Sequence, residues 1–336
     1  MKLPTKFDNL LDLARLPWFE DRAGRLVLAD TSMGPAVDVH THLALSYATG
    51  RVDLGKEYPR TEHYFPDERA IDLDPYINQN FTPEDLKALE YDLTLMSVTA
   101  RGMRRTHTVP NLRRQMQELG ISQSVLLPID FPVLSHNAER WLDATRGQDD
   151  FICLGSVHPY TWNMERRLDM LVRRGARGIK VHPAVQMVGP DNPRALRLYA
   201  MCGARKLPVL FHCGPVGIEP AAGRRRSQVA RYEKALAENP DTIFILGHSG
   251  ALQMPEALAF SLKYRNVYLE CSSQGLPNVR RLVNEAPPDR LLFGTDWPFY
   301  HQAVGLAKVF LATDGKDAVR QALLNGNARR LFGLKD

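Results

Sequence analysis

The stretch VDVHTHLALS, Val37 to Ser46, closes an apolar run with two histidines two positions apart. A β-strand repeats every two residues, so His40 and His42 project from one face while Val37, Val39 and Thr41 fill the other. Two ring nitrogens on one face can grip one metal ion. The alternative this stretch leaves open is a satisfied core histidine beside a loop histidine.

Outward from it, short apolar, β-branched runs bounded by Gly or Pro recur. After AVDVHTHL from Ala36 come SVLLPID from Ser124, FICLGSVHP from Phe151 and RGIKVHP from Arg177. LPVLFHCGP from Leu207, TIFILGHSG from Thr242, NVYLECSS from Asn266 and RLLFGTDWP from Arg290 bring the number to eight. Their near-continuous hydrophobicity, without strict alternation, is what a parallel sheet covered on both faces requires. Helical stripes lie between them: Met164, Leu168, Leu171 and Val172 share one face, and Asp191 and Asn192 precede Pro193 at a first helical turn. From the second run onward the spacing is one strand, one helix and two loops. Eight such units predict an α/β chain closed into a (β/α)8 TIM barrel.

Two regions depart from this rhythm. Residues 1–35 form an N-terminal extension, expected to supply a short strand (GRLVLAD) and a helix packed on the outside of the barrel domain at 36–336. The interval 44–122 is too long for one crossover and carries Tyr47, Tyr58, Tyr64, Phe65 and Tyr76, so it is expected to be an insertion over the barrel mouth. Helices are expected near 82–102 and 109–119, and the tail AVRQALLNGNARRLFGL reads as a closing amphipathic helix.

The chain has 336 residues, 44% of them hydrophobic, enough for a large core. A formal charge of +5 with Lys and Arg interleaved among Asp and Glu suits a small, weakly anionic ligand and gives no basic arm for nucleic acid. The four cysteines, Cys153, Cys202, Cys213 and Cys271, have neither zinc-ribbon spacing nor the density of a disulfide framework. No run approaches membrane-spanning length, and charges and Pro interrupt the first residues where a signal peptide would be apolar. A cytoplasmic location is expected.

Polar side chains fall at the strand ends: His40 and His42 at the first, Lys180 and His182 at the fourth, His212 at the fifth, His248 at the sixth and Asp296 at the eighth. In a (β/α)8 barrel these ends open on one face, where active sites lie.

This ordered set, from VDVHTHL through GIKVHP, LPVLFHCG, FILGHSG and LLFGTDWPF to NARRLFGL, resembles the amidohydrolase superfamily. Within it the resemblance is to the amidohydrolase-related branch that includes aminocarboxymuconate-semialdehyde decarboxylase. The resemblance implies that His40 and His42 bind a divalent metal, with His212 and Asp296 completing the shell and Asp296 carrying protons. Zinc suits imidazole and carboxylate ligands, with manganese or iron as other occupants and one or two ions per chain. By the same resemblance His248 either binds a second metal or acts as acid, base and oxyanion stabiliser. Lys180 is either carboxylated and bridging or a free amine beside a single metal.

Other residues carry two readings each. His182 supports a ligand or lines the substrate pocket; His158 faces the pocket or serves the core. Trp297 walls the substrate or is structural, and Arg225 in GRRRS holds a substrate anion or is solvated. Glu270, ending the seventh strand, is expected to hydrogen-bond a ligand histidine. The implied activity is a metal-dependent hydrolase that turns activated water on an amide, lactone or ester carbonyl. The alternative is nonoxidative decarboxylation of a carboxylated aromatic or enoic acid. The partner is a small molecule, and homodimers are common in the family resembled.

Overall fold

A computed structural model of the chain describes residues 3–30, 32, 34–48 and 50–334. All eight apolar runs form strands. They are β1 (Ala36–Thr41), β2 (Ile121–Leu126), β3 (Phe151–Cys153), β4 (Ile179–Val181), β5 (Val209–His212), β6 (Phe244–Gly247), β7 (Val267–Glu270) and β8 (Leu291–Leu292). β1, β2 and β3 pair in parallel, as do β4 to β8 in sequence order. Parallel bridges close the ring at two seams, Gly155 to Ile179 between β3 and β4 and Thr41 to Trp297 between β1 and the chain beyond β8. At the second seam Val39 N donates to Phe293 O (2.9 Å), Asp296 N to His40 O (2.8 Å) and His42 N to Trp297 O (2.7 Å). Helices alternate with the strands, and the expected stripes are seen at Met164–Arg173 and Pro193–Ala204. The second starts at an Asn192 cap whose side chain accepts from Arg194 N at 2.9 Å. The fold is thus a (β/α)8 barrel.

β1 departs from simple alternation. Val37 and Val39 pack in one cluster with Val125, Ile152, Leu210, Ile245 and Leu292. Side chains from so many strands of one ring can meet only inside it. Yet His40 also points inward, to Glu270 and Lys180. The register between β1 and β2 shifts between Asp38 and Thr41, a β-bulge that resets the alternation so that Val39 and His40 both face in. Asp38 supports the bulge: its Oδ1 accepts from His40 N (3.1 Å) and Thr295 N (3.0 Å), and its Oδ2 from Gln302 Nε2 (2.7 Å). Burial pushes the Asp38 carboxyl up to about 6, against hydrogen bonds from Thr295 and Gln302 that favour its charged form.

Two further expectations are corrected. The helix expected over 82–102 stops at Leu93. There Thr94 Oγ1 turns back onto Glu90 O, and Asp92 Oδ1 accepts Met103 N at 2.7 Å, which requires a loop between them. In the extension, the expected helix is a single 3-10 turn, Leu11–Arg15, ahead of Pro17, and Leu26–Leu28 forms a hairpin with Phe19–Asp21. The closing helix is present as expected, over Asp317–Gln321, Ala322–Gly326 and Asn327–Phe332, with a π-turn in its middle segment.

The extension packs on the barrel through Trp18 against Phe310 (5.2 Å between ring centroids), and Lys6–Phe7 pairs antiparallel with Ile71–Asp72 of the insertion. The insertion is seated on the loops beyond the strand ends. Ile77 N donates to Ser273 O (3.0 Å), Leu276 N to Leu73 O (2.7 Å) and Phe65 N to Phe299 O (2.9 Å). Its own bends are fixed by Arg104, a buried guanidinium that donates to Leu45 O (2.9 Å), Met96 O (3.1 Å), Gly50 O (3.1 Å) and Ser46 Oγ (2.6 Å).

Gly294, just past β8, lies against Glu270 of β7 and His40 of β1. A Cβ there would sit 2.3 Å from Glu270 Oε1 and 2.8 Å from His40 Cβ. Gly294→Ala is therefore expected to destabilise the fold by about 1–3 kcal/mol through overpacking. Gly326→Ala is the control: its φ is −57° and a Cβ would meet nothing nearer than 3.8 Å, so it should be neutral or stabilising by about 1 kcal/mol. Urea unfolding of both variants checks the pair.

Candidate functional site

The strand-end residues converge at the mouth of the ring. His42 Nε2 lies 3.4 Å from Asp296 Oδ1, and His40 Nε2 lies 3.6 Å from the same oxygen. Asp296 is four residues past β8, where its backbone has φ 66°; Ser273 Oγ donates to its Oδ2 at 3.4 Å. His248 (φ 57°), Ser249 (φ 45°), Ala251 (φ 50°) and Ser273 (φ 64°) share this left-handed geometry. Each costs about 1–3 kcal/mol, and they cluster in the loops after β6, β7 and β8 that shape the site.

The protons can be placed from the partners. His42 Nδ1 is 2.8 Å from Leu127 O, a carbonyl that can only accept, so Nδ1 carries the hydrogen and Nε2 the lone pair. His40 Nδ1 faces Glu270 Oε2 at 2.6 Å, which likewise leaves its Nε2 as a lone pair. Burial pushes the His40 imidazole well below its ordinary range, helped by Lys180 and His248, and burial lowers His42 as well. Two neutral nitrogen acceptors and one carboxylate oxygen thus converge on a single point. Such a convergence is repulsive unless a cation lies between, and imidazole with carboxylate is a donor set that suits a divalent metal. The residues present fit such an ion.

Lys180 adds a cation to the same cluster. Its Nζ is 3.3 Å from His40 Nε2, and burial lowers the amine to about 8 against the pull of Asp296 and Glu270. His212 stands one step back from the Asp296 group: its Nδ1 is 3.2 Å from His248 Nε2. Its ring stacks on His182, with centroids 3.9 Å apart and planes 8° from parallel. His248 Nδ1 is 2.8 Å from Ser272 Oγ. Burial drives His182, His212 and His248 well down, reinforced by their neighbouring imidazoles and Lys180.

The other sequence candidates lie apart from this group. Both nitrogens of His158 are held by backbone, Nε2 to Gln186 O (2.9 Å) and Nδ1 from Tyr160 N (3.1 Å). Trp297 is wholly buried behind His42, with its carbonyl accepting His42 N and its indole N–H without a partner among the described residues. Arg225 is exposed on the short helix Ala221–Arg226 and makes no ion pair among the described residues. All four cysteines are buried and unpaired.

Two residues were not singled out from sequence. Asp38 supports the β1 bulge, and no period count reveals it because the bulge itself breaks the period. Ser272 touches both Glu270 Oε2 and His248 Nδ1 at 2.8 Å; its only sequence signal is its place two residues after the last carboxylate of β7. Glu270 does meet a candidate ligand histidine, as expected. Burial raises its carboxyl to about 7, opposed by hydrogen bonds from His248 N and from Ser272.

Among solved structures the chain is similar to 5-carboxyvanillate decarboxylase of Sphingomonas paucimobilis, with 13% identity and TM-score 0.61 over 90% of this chain and 99% of that one. It is also similar to an uncharacterized TIM-barrel protein of Bordetella bronchiseptica, with 21% identity and TM-score 0.60 over 69% and 84%. A third is a probable 2-pyrone-4,6-dicarboxylic acid hydrolase of Acinetobacter baumannii, with 14% identity and TM-score 0.53 over 89% and 100%. At such identities the likeness establishes the barrel alone. No protein of curated function matches the sequence. The amidohydrolase profile Amidohydro_2, however, matches residues 132–334, more than half of the chain and all the strands from β3 to β8. The chain therefore belongs to the amidohydrolase (Amidohydro_2) family of enzymes, which includes both hydrolases and metal-dependent decarboxylases.

Proposed function

We propose that the protein is a metal-dependent hydrolase that directs activated water at the carbonyl carbon of a small amide, lactone or ester. The observation that carries this reading is the meeting of three acceptors, with His40 Nε2 and His42 Nε2 lying 3.6 Å and 3.4 Å from Asp296 Oδ1. These three would hold a divalent ion, zinc by ligand type, with His212 as a further ligand. When bound, such an ion polarises a substrate oxygen and lowers the pKa of a bound water from about 15.7 toward about 7.

The chain's own groups handle the rest. Asp296 Oδ1 takes the proton of the attacking water and passes it to the leaving group, while Ser273 Oγ steadies Oδ2. His248, whose Nε2 lies 3.2 Å from His212 Nδ1, is the second proton-handling group. The Lys180 amine, which forms no ion pair among the described residues, steadies negative charge on the substrate oxygen. Tyr76 of the insertion and Tyr300 of the loop after β8, both buried, wall the site from water.

Decarboxylation is the second reading, supported by the same Lys180: a buried amine 3.3 Å from His40 Nε2 can pair with a substrate carboxylate. In that case Asp296 protonates the carbon that loses carbon dioxide. The reading takes the protein as cytoplasmic and its substrate as small and weakly anionic; no helix among the described residues is long and apolar enough to cross a membrane.

Chelation is expected to abolish turnover and added zinc to restore it, followed by metal analysis per chain. His40→Ala should lose both metal and turnover with only modest loss of fold. Asp296→Asn should keep much of the metal while kcat falls about 10²–10⁴-fold; full turnover in that variant would remove Asp296 as proton carrier. A panel of lactones, amides, esters and carboxylated aromatics, scored for acid release against carbon dioxide release, separates the two reactions.

A further inference from the structure

We propose that Ser272 is a positioning residue that relays the hydrogen-bond polarity of Glu270 to His248 and through it to His212, so that one carboxylate fixes the tautomers of three imidazoles. Glu270 Oε2 accepts from His40 Nδ1 at 2.6 Å, from Ser272 Oγ at 2.8 Å and from His248 N at 3.1 Å, and Oε1 accepts from Ser272 N. Backbone N–H groups, which can only donate, reach both oxygens, so both act as acceptors and the single hydroxyl proton of Ser272 points at Oε2. The hydroxyl's lone pair is then what meets His248 Nδ1, also at 2.8 Å, and that nitrogen carries the hydrogen. A neutral imidazole has one N–H, which leaves His248 Nε2 as an acceptor. That nitrogen is 3.2 Å from His212 Nδ1, which therefore donates, and His212 Nε2 is left with the lone pair.

The relay ends on His212, the residue proposed above as a further ligand. His40 and His212 both offer Nε2 because of Glu270, the first directly and the second at two removes. His42 reaches the same state independently through Leu127 O. His182, stacked flat on His212, fixes the ring plane while the relay fixes its protons. Ser272 and Glu270 are 1% and 0% exposed, so water does not compete for these bonds. The tautomers follow from the hydrogen bonds alone; their effect on metal affinity rests on the metal-dependent reading above.

The test is two-bond proton–nitrogen NMR on the full chain labelled with nitrogen-15 at histidine, freed of metal by chelation and then titrated with zinc chloride. In the wild type, His40, His42, His212 and His248 should all show the Nδ1–H pattern. Ser272→Ala should shift His248 and His212 toward the Nε2–H form and leave His40 and His42 unchanged, and Ser272→Thr should restore the wild-type pattern. Zinc affinity should fall about tenfold or more in Ser272→Ala and recover in Ser272→Thr. His248 or His212 in the Nε2–H form in the wild type, or unchanged spectra in Ser272→Ala, would overturn the relay. Spectra as assigned in a wild type that takes up no zinc would support the relay and remove the metal-dependent reading instead.

Discussion

Burying a carboxyl away from water makes its charge costly, and the hydrogen bonds that converge on Glu270 from several directions offset that cost. Its two oxygens collect donors from β1, from the turn after β6 and from the turn after β7. Each donor is thereby told where its proton must point. The polarity of the histidine cluster, and so its usefulness as a set of lone pairs, descends from this one side chain. Gly294 is its steric counterpart, since any larger residue would occupy the space of the carboxylate.

The barrel converts this local order into a site. Parallel strands bring all their carboxyl ends to one face, so residues as far apart as His40 and Asp296 become neighbours without any special chain path. The bulge in β1 supplies the remaining adjustment, turning His40 inward beside Val39. The cost appears as left-handed backbone at His248, Ser273 and Asp296, which the tightly packed loops sustain.

The sequence made the strands and most of the cluster legible for a physical reason. A parallel strand covered on both faces must be apolar throughout, so a histidine or aspartate at its end stands out. What was hidden depended on meetings across the fold. His40 and Glu270 are 230 positions apart, and nothing local in either predicts their bond. The bulge was invisible because it violates the period used to assign faces. The missing second half of the 82–102 helix was hidden because Asp92 and Arg104 are drawn into buried contacts that a helix would not permit. Expectations for His158 and Trp297 came from their place near strand ends, and the structure puts their polar atoms against backbone or in the core.

The seating of the insertion bears on how the molecule is made. Tyr300 OH meets Asn78 Oδ1 across 222 positions, and Ile77 rests on Ser273. A segment synthesised early must wait for partners synthesised near the end, and contacts of such long sequence separation form late because of the chain entropy they consume. The cover over the pocket, like the ring seam between Thr41 and Trp297, settles only once the end of the chain is in place, and a partly folded chain would hold its histidines open to water.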